Sequence, residues 1–409
     1  MHRIFVGVDW AEAHNDVLVM DEAGAALGRG RFEVGVSGLA RLHALVADHA
    51  EDPAEVIVGI EIDRGLIIDS LVGAGYRVYG VNPLAASRYR DRHTTSGAKS
   101  DASDAKLLAD LVRTDAHNHR PLAGDSDEAS AIRVLARAHQ GLVWMRQRQV
   151  NGLRSALRDY FPAALGAFGT DLASSDALAI LTIAPTPRAA RGLSRAKIAG
   201  ALGRAGRQRN LEARAAEIQA ALRAEQPEAV ELVADAFGAA SAARVAVLVA
   251  LNRQIAELER ALAEHFDRHP DAEILRGLAG LGSVLGARVL GEFGDDPNRF
   301  SDARGRKAYA GTAPITRASG RSLVVLARVA RNRRLADACE RWAFCSLTSS
   351  PGARRYYDLL RARGKTHSQA TRQLANRWVG ILHACLERRE AYREEVAWPD
   401  RAEALHMAA

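Results

Sequence analysis

Apolar positions change rhythm along the chain, and each rhythm predicts an element. Over residues 4–34, IFVGVDWA is nearly continuous, NDVLVMD alternates, and ALGRGRFEV follows a glycine turn, so three strands are expected. SGLARLHALVADHA has the three- and four-residue spacing of an amphipathic helix, with Ser37 as its expected N-cap. EVIVGIEI reads as a buried strand, GLIIDSLVGAGY as a helix ending at glycine, RVYGVNP as another apolar strand, and KSDASDAKLLADLVRT as the next helix. Three leading strands followed by helix, strand, helix, strand describe an α/β domain of ribonuclease-H-like (RuvC-like) order over residues 1–125.

Beyond about residue 125 the strand signals stop, and an all-α region is expected. ASAIRVLARAHQGLVWMRQRQVNGLRSALRDYF reads as one long helix with a basic stripe of Arg133, Arg137, Arg146, Arg148, Arg154 and Arg158. Residues 160–205, with APTPRAARGLS, read as irregular, a linker or exposed loop. Residues 208–268 read as two long helices, and LVALNRQIAELERALAEHF suits either a coiled-coil arm or an intramolecular helical hairpin. From 273, EILRGLAGLGSVLGARVLGEFGD reads as helix, glycine hairpin, helix. A basic, loop-rich stretch follows, then arginine-laden helix to about Tyr392. Domains are therefore drawn at 1–125, 126–270 and 271–409.

Composition adds a direction. The 409 residues are 48% hydrophobic, enough for two or three cores, and no apolar run approaches a membrane span. No basic-then-apolar leader precedes the first strand, so a cytoplasmic, membrane-free protein is expected, with Cys339, Cys345 and Cys385 reduced. Residues 1–124 carry 13 Lys and Arg against 18 Asp and Glu, while residues 271–409 carry 24 against 15. GC-rich coding would explain arginine over lysine, but not this asymmetry. An acidic head before a basic tail points to carboxylate chemistry on one surface and phosphate backbone on another.

The candidate chemistry sits at strand and helix ends. Asp9 and Glu61 each close an apolar strand, with Asp63 a rival to Glu61, and Asp101 and Asp104 share a face of the following helix. Acids in a first helical turn also simply complement the helix dipole. In a ribonuclease-H-like sheet the first and fourth strands are neighbours, which sets Asp9 beside Glu61 and lets the helix bring Asp101 and Asp104 onto them. Four hard oxygen donors in one place call for Mg²⁺ or Mn²⁺, and two such ions clamp the attacking and leaving oxygens of a phosphodiester.

Farther on, Ser319 lies beside Gly320 between Arg317 and Arg321. Ser-Gly is ordinary turn punctuation, yet a hydroxyl flanked by cations also suits nucleophilic attack on phosphorus, with Ser322 the local rival. Gly280 and Gly282 allow close approach, either to a phosphate or to a packed helix. Arg328, Arg331, Arg333 and Arg334 make a dense cationic turn suited to nucleic acid. Tyr356 and Tyr357 suit stacking or packing equally.

GVDWAEAHNDV, VGIEIDRG, VYGVNPLAASRYRDRH and KSDASDAKLLADL resemble the insertion-sequence transposases with a RuvC-like DEDD domain. LAGLGSVLGARVLGEFG, then F-x-x-A-R-x-x-x-A-Y-A-G-x-x-P and SG, extend the likeness to that family's C-terminal serine-bearing domain. Within it, the chain resembles the bridge-RNA-guided serine recombinases. The resemblance implies metal ligands at Asp9, Glu61, Asp101 and Asp104, and a serine at Ser319 that becomes transiently linked to cut DNA. It also implies a structured guide RNA as partner, while the Gly280-Leu281-Gly282 hairpin by itself resembles either a helix-hairpin-helix element that grips backbone or a site of tight helix packing. The implied substrate is DNA, and recombining two duplexes needs several active sites, so a homodimer or tetramer is expected. The chain departs from the family at Glu12, where lysine is common, and in ARVARNRRLAD, where a lysine-glycine-asparagine turn is common. Three alternatives stay open: a metal-dependent nuclease using water, a sugar-kinase-like fold, and a non-catalytic nucleic-acid scaffold. GVDWA resembles the kinase folds' first phosphate loop, but no second glycine-rich loop is found.

Overall fold

A computed structural model describes residues 3–93, 101–119, 121–122, 124–320, 322–329 and 331–399, with the backbone alone at 93, 101 and 102. The chain forms two compact units: Met1–Asp125 with Asp296–Ser301, and Ser126–Asp295 with Asp302–Ala409.

In the first unit, β1 (Ile4–Trp10), β2 (His14–Met20), β3 (Ala26–Glu33), β4 (Val56–Ile60) and β5 (Arg77–Gly80) form one sheet in the order β3-β2-β1-β4-β5. The three leading strands are antiparallel neighbours, and β1, β4 and β5 run parallel. Because side chains alternate across the pleat, the sheet has two apolar faces. Val6, Val8, Val58 and Ile60 meet Leu42 and Val46 of α1 (Val36–Ala47) and Ile67, Ile68 and Leu71 of α2 (Leu66–Gly73). On the other face Phe5, Leu18, Met20 and Ile57 meet Ala86 of α3 (Pro83–His93) and Ala105, Leu108, Ala109 and Val112 of α4 (Asp101–Asp115). The expected Ser37 cap is corrected: Gly35 precedes α1 with φ of 143°, and no side chain caps the helix. Glycine suits that turn because a positive φ is costly for other residues.

The second unit centres on α5 (Asp127–Tyr160), whose Ser126 hydroxyl accepts from the Ala129 amide as N-cap. The stretch expected to be irregular is helical: α6 (Pro162–Phe168), α7 (Ser175–Ile183), α8 (Pro187–Arg191) and α9 (Arg195–Arg204). Ser174, Thr186 and Ser194 cap the last three, and Pro162 and Pro187 occupy first turns, where a missing N–H costs nothing. These helices and α10 (Leu211–Leu222) close a core around Leu157, Phe161, Leu178, Leu181, Leu202 and Leu222. Then α11 (Glu231–Arg268) packs along α5 within the chain. By length and composition alone α11 could cross a membrane, although no apolar run in the sequence is expected to; Val245, Leu248, Leu251 and Ile255 are buried in this unit, while Leu232, Val233, Val247 and Val249 are exposed.

Residues on both sides of 270 lie in the second unit, where α12 (Ala272–Gly277) and α13 (Ser283–Phe293) pack against α11 and α13 also packs against α5. Next come α14 (Ala303–Tyr309), β6 (Ile315–Ser319), β7 (Ser322–Leu326), α15 (Arg333–Ser346), α16 (Pro351–Ala362), α17 (His367–Arg388) and α18 (Glu394–Ala397). The β6–β7 hairpin corrects the all-α expectation for this half. Ser319 pairs with Ser322 across a two-residue loop, and Gly320 takes the positive φ of 55° that such loops require. The run ITRASGRSLVVL held that signal, but its basic surroundings read as loop.

Candidate active site

The acids of the first unit are placed by the backbone. Gly7 of β1 stands level with Gly59 of β4 in the parallel register. Both are where α4 presses on the sheet: a Cβ on Gly7 would lie 1.8 Å from the Ala105 carbonyl oxygen, and one on Gly59 2.6 Å from that of Leu108. Asp9 lies two residues beyond Gly7 on the same face, and Glu61 two beyond Gly59 just past the strand end, so the two half-buried acids stand level on adjacent strands. Asp104 lies in the first turn of α4, one residue before the contact at Ala105, and is only 6% exposed. Asp101 begins α4, and its side chain lies outside the described residues. Asp63 is exposed and within reach of Arg64 at 4.0 Å.

A further acid on this face escaped the sequence reading. Asp16 of β2 is the cross-strand partner of Asp9 in the antiparallel register. Arg31 of β3, level with it, donates from Nε at 3.0 Å and from Nη2 at 2.8 Å. Its signal was the alternation of NDVLVM, which sets Asp16 on the face of Leu18 and Met20. Asp104 is likewise engaged, by Arg90 Nη2 at 2.5 Å. Oxygen-only donors at a strand edge fit a hard divalent cation by chemistry. Among the described residues no three Asp, Glu, His or Cys side chains close into a ligand set.

The expected features of the second unit divide into displayed and committed groups. Ser319, Arg317 and Ser322 are exposed on the hairpin, and Arg321 lies outside the described residues. β7 is exposed at all five positions, with Leu323 at 69% and Val325 at 62%. Of the cationic turn, Arg333 is exposed and Arg328 half-buried. Arg331 lies 3.5 Å from Glu340 and packs over Gly311, while Arg334 donates to the Arg137 carbonyl at 3.1 Å and stacks 5.0 Å above Trp144. Gly280 makes its close approach inside the protein, since a Cβ there would lie 2.6 Å from the Ser346 amide; Gly282 has open space and precedes α13. Tyr356 packs 5.8 Å from Trp398, and Tyr357 hydrogen-bonds His367 at 2.7 Å.

The basic stripe on α5 is largely spent as well. Arg133 donates to the Gly291 carbonyl, Arg146 to Asn252 and Arg154 to the Gly169 carbonyl, leaving Arg148 and Arg158 exposed. Arg137 grips Glu292 through two bonds of 2.7 and 2.9 Å, and Asn332 donates to the same carboxylate at 2.7 Å. Burial pushes the Glu292 carboxyl up, but bonds from Arg137 and Asn332 and the nearby Arg334 charge leave it below the ordinary glutamate value. Asn332 also caps α15 by accepting from the Arg334 and Leu335 amides. The exit of the β6–β7 hairpin is thereby tied to α5 and α13. Of the cysteines, Cys345 is exposed and Cys385 buried, and burial pushes the Cys339 thiol to about 12, so this thiol stays protonated.

Comparison with known proteins covers both halves. A family model described as "Transposase" (DEDD_Tnp_IS110) matches residues 6–162, and one described as "Transposase IS116/IS110/IS902 family" matches residues 272–358. The "Mini-circle putative transposase for IS117" from Streptomyces coelicolor is 45% identical over 399 residues, covering 97% of this chain and 96% of the relative. The insertion element IS900 uncharacterized 42 kDa protein from Mycobacterium paratuberculosis is 32% identical over 394 residues, covering 95% and 97%. The insertion element IS116 uncharacterized 44.8 kDa protein from Streptomyces clavuligerus is 30% identical over 399 residues, covering 94% of each. A likeness of that depth across nearly the full length, with family models matching both units, leaves one conclusion: this chain belongs to the IS116/IS110/IS902 family of transposases.

Proposed function

We propose that this transposase cuts and rejoins DNA strands through a covalent phosphoserine link on Ser319, assisted by Mg²⁺ or Mn²⁺ held by Asp9, Glu61, Asp101 and Asp104. The observation that carries the metal role is the level placement of Asp9 and Glu61 on adjacent parallel strands, under a helix that begins with the other two acids. When bound, the cation supplies stabilisation of the charge that develops on phosphate oxygens. Ser319 Oγ gives up its proton and attacks phosphorus, a serine–phosphate bond forms, one sugar–phosphate bond breaks, and the departing sugar oxygen takes up a proton in exchange. Attack by the hydroxyl of another strand reverses these changes and restores serine. Exposure of Ser319 and Arg317 on the hairpin suits access to a backbone phosphate, with the guanidinium as charge partner.

The guide RNA and the homodimer or tetramer are part of this reading through the resemblance and the need for several active sites. Arg148, Arg158 and Arg333 are the exposed arginines left to face phosphates on the α5 stripe and the cationic turn.

The deciding experiment is denaturing electrophoresis of the full chain incubated with element-end DNA, its RNA and Mg²⁺. A protein–DNA adduct is expected for the wild type and absent for Ser319→Ala, which still binds DNA. Asp9→Asn should abolish both adduct and cleavage. Cleavage persisting in Ser319→Ala without an adduct would instead identify a metal-dependent nuclease using water. Joining that keeps its sequence specificity after ribonuclease treatment removes the RNA from the scheme.

A further inference from the structure

We infer that Arg90 is a built-in counter-ion for Asp104, which competes with the divalent cation for that carboxylate and so sets the metal affinity. The inference rests on the metal-binding role proposed for Asp9, Glu61, Asp101 and Asp104. Asp104 is 6% exposed, and a buried polar group needs a partner supplied by the protein. Arg90 supplies one at 2.5 Å from α3.

Two observations separate this pairing from ordinary helix docking. First, α3 is held on α4 independently: Tyr89 donates to Asp110 at 2.8 Å and lies 3.0 Å from the Thr114 hydroxyl. Arg113 steadies that second acid, donating to Asp110 from Nε at 2.9 Å. Second, the position of α4 is set by the close approach of its backbone to Gly7 and Gly59, so Asp104 cannot reach a ligand set by sliding the helix. What remains adjustable is its side chain and the partner it keeps. A divalent cation drawn to Asp9, Glu61 and Asp104 together meets a guanidinium already paired with Asp104, and like charges repel. Entry of the cation therefore requires Arg90 to release or share Asp104. The released guanidinium, planar and permanently charged, suits the phosphate that the cation also serves.

The test is Mn²⁺ binding by the full chain without nucleic acid, followed by the electron-paramagnetic-resonance signal of free Mn²⁺. Arg90→Gln should bind Mn²⁺ about tenfold more tightly than wild type, a gain on the scale of removing one like charge near the cation in a partly solvated site. Arg90→Lys, which keeps the charge, should stay near wild type. Without metal, Arg90→Gln should melt at a lower temperature, Mn²⁺ should restore it, and the substitution should cost less in an Asp104→Asn background than in the wild type. Equal or weaker Mn²⁺ binding by Arg90→Gln overturns the competition and makes Arg90 a bystander or an orienting group. Wild-type Mn²⁺ binding indifferent to Asp9→Asn and Asp104→Asn overturns the metal reading itself, and the competition with it. In that case the metal-free melting cycle still reports whether the ion pair forms.

Discussion

Asp9 and Glu61 stand at the ends of buried parallel strands, whereas Ser319 stands at the tip of a hairpin whose second strand is exposed throughout. The acids are positioned by backbone register and by a helix seated on two glycines, an arrangement with almost no slack. Ser319 is presented instead on two strands that bury little of their own, and an isolated hairpin gains only marginal stability. Its order comes from its root, where Gly311 underlies Arg331 and Asn332 joins Glu292 to the cap of α15. Under the proposed function, rigidity before substrate arrives suits the acids as cation ligands, and a segment that substrate can cover suits Ser319 as nucleophile.

This contrast is broken most forcefully at the hairpin root. Glu292→Ala leaves the Arg137 guanidinium without its buried partner, and a loss of about 3–5 kcal/mol in urea unfolding of the second unit is expected. A loss below about 1 kcal/mol would mean that Arg137 finds another partner and that the network does not anchor the hairpin.

Next in size is Gly7→Ala, which pushes a methyl group into the Ala105 carbonyl. Overpacking of this kind costs about 1–3 kcal/mol or more, and displacement of α4 should also weaken Mn²⁺ binding. If Gly7→Ala keeps wild-type stability and Mn²⁺ affinity, the glycine seat does not position the acids.

A smaller effect sharpens the comparison through pH. The folded Glu292 carboxyl titrates below its ordinary 4.5, so its contribution is present above that value and fades as pH falls through the lower folded value. The stability gap between wild type and Glu292→Gln should therefore be steady near neutrality and narrow under acid, as read from urea midpoints at stepped pH. A gap that widens under acid reverses the sign of the argument.

Smallest of all should be the hairpin itself. Ser319→Ala and Val324→Thr fall on exposed positions and should change stability by no more than about 0.5 kcal/mol. A melting-temperature drop beyond that range for Val324→Thr would reveal a covered rather than an open strand.

Much of the first unit is legible in the sequence itself. Alternation at NDVLVMD and the unbroken run at IFVGVDWA dictated strands, and element order dictated which strands became neighbours. The short helices between 162 and 204 were not legible, because pieces of five to ten residues hold too few turns to display a period. Their caps at Ser174, Thr186 and Ser194 were the readable signal. The hairpin at 315–326 escaped because SLVVL does not alternate, both faces of its strand being exposed.

The sequence by itself determined the order of the elements and the acids at their ends, since pleat and helical period are local properties of neighbouring residues. Only the tertiary structure decided which charges are spent and which are displayed. Arg137 meets Glu292 across 155 residues and Arg334 meets the Arg137 carbonyl across 197, so neither commitment leaves a trace in local spacing. A guanidinium seeks whatever acceptor packing brings within about 3 Å, and that choice belongs to the folded chain as a whole.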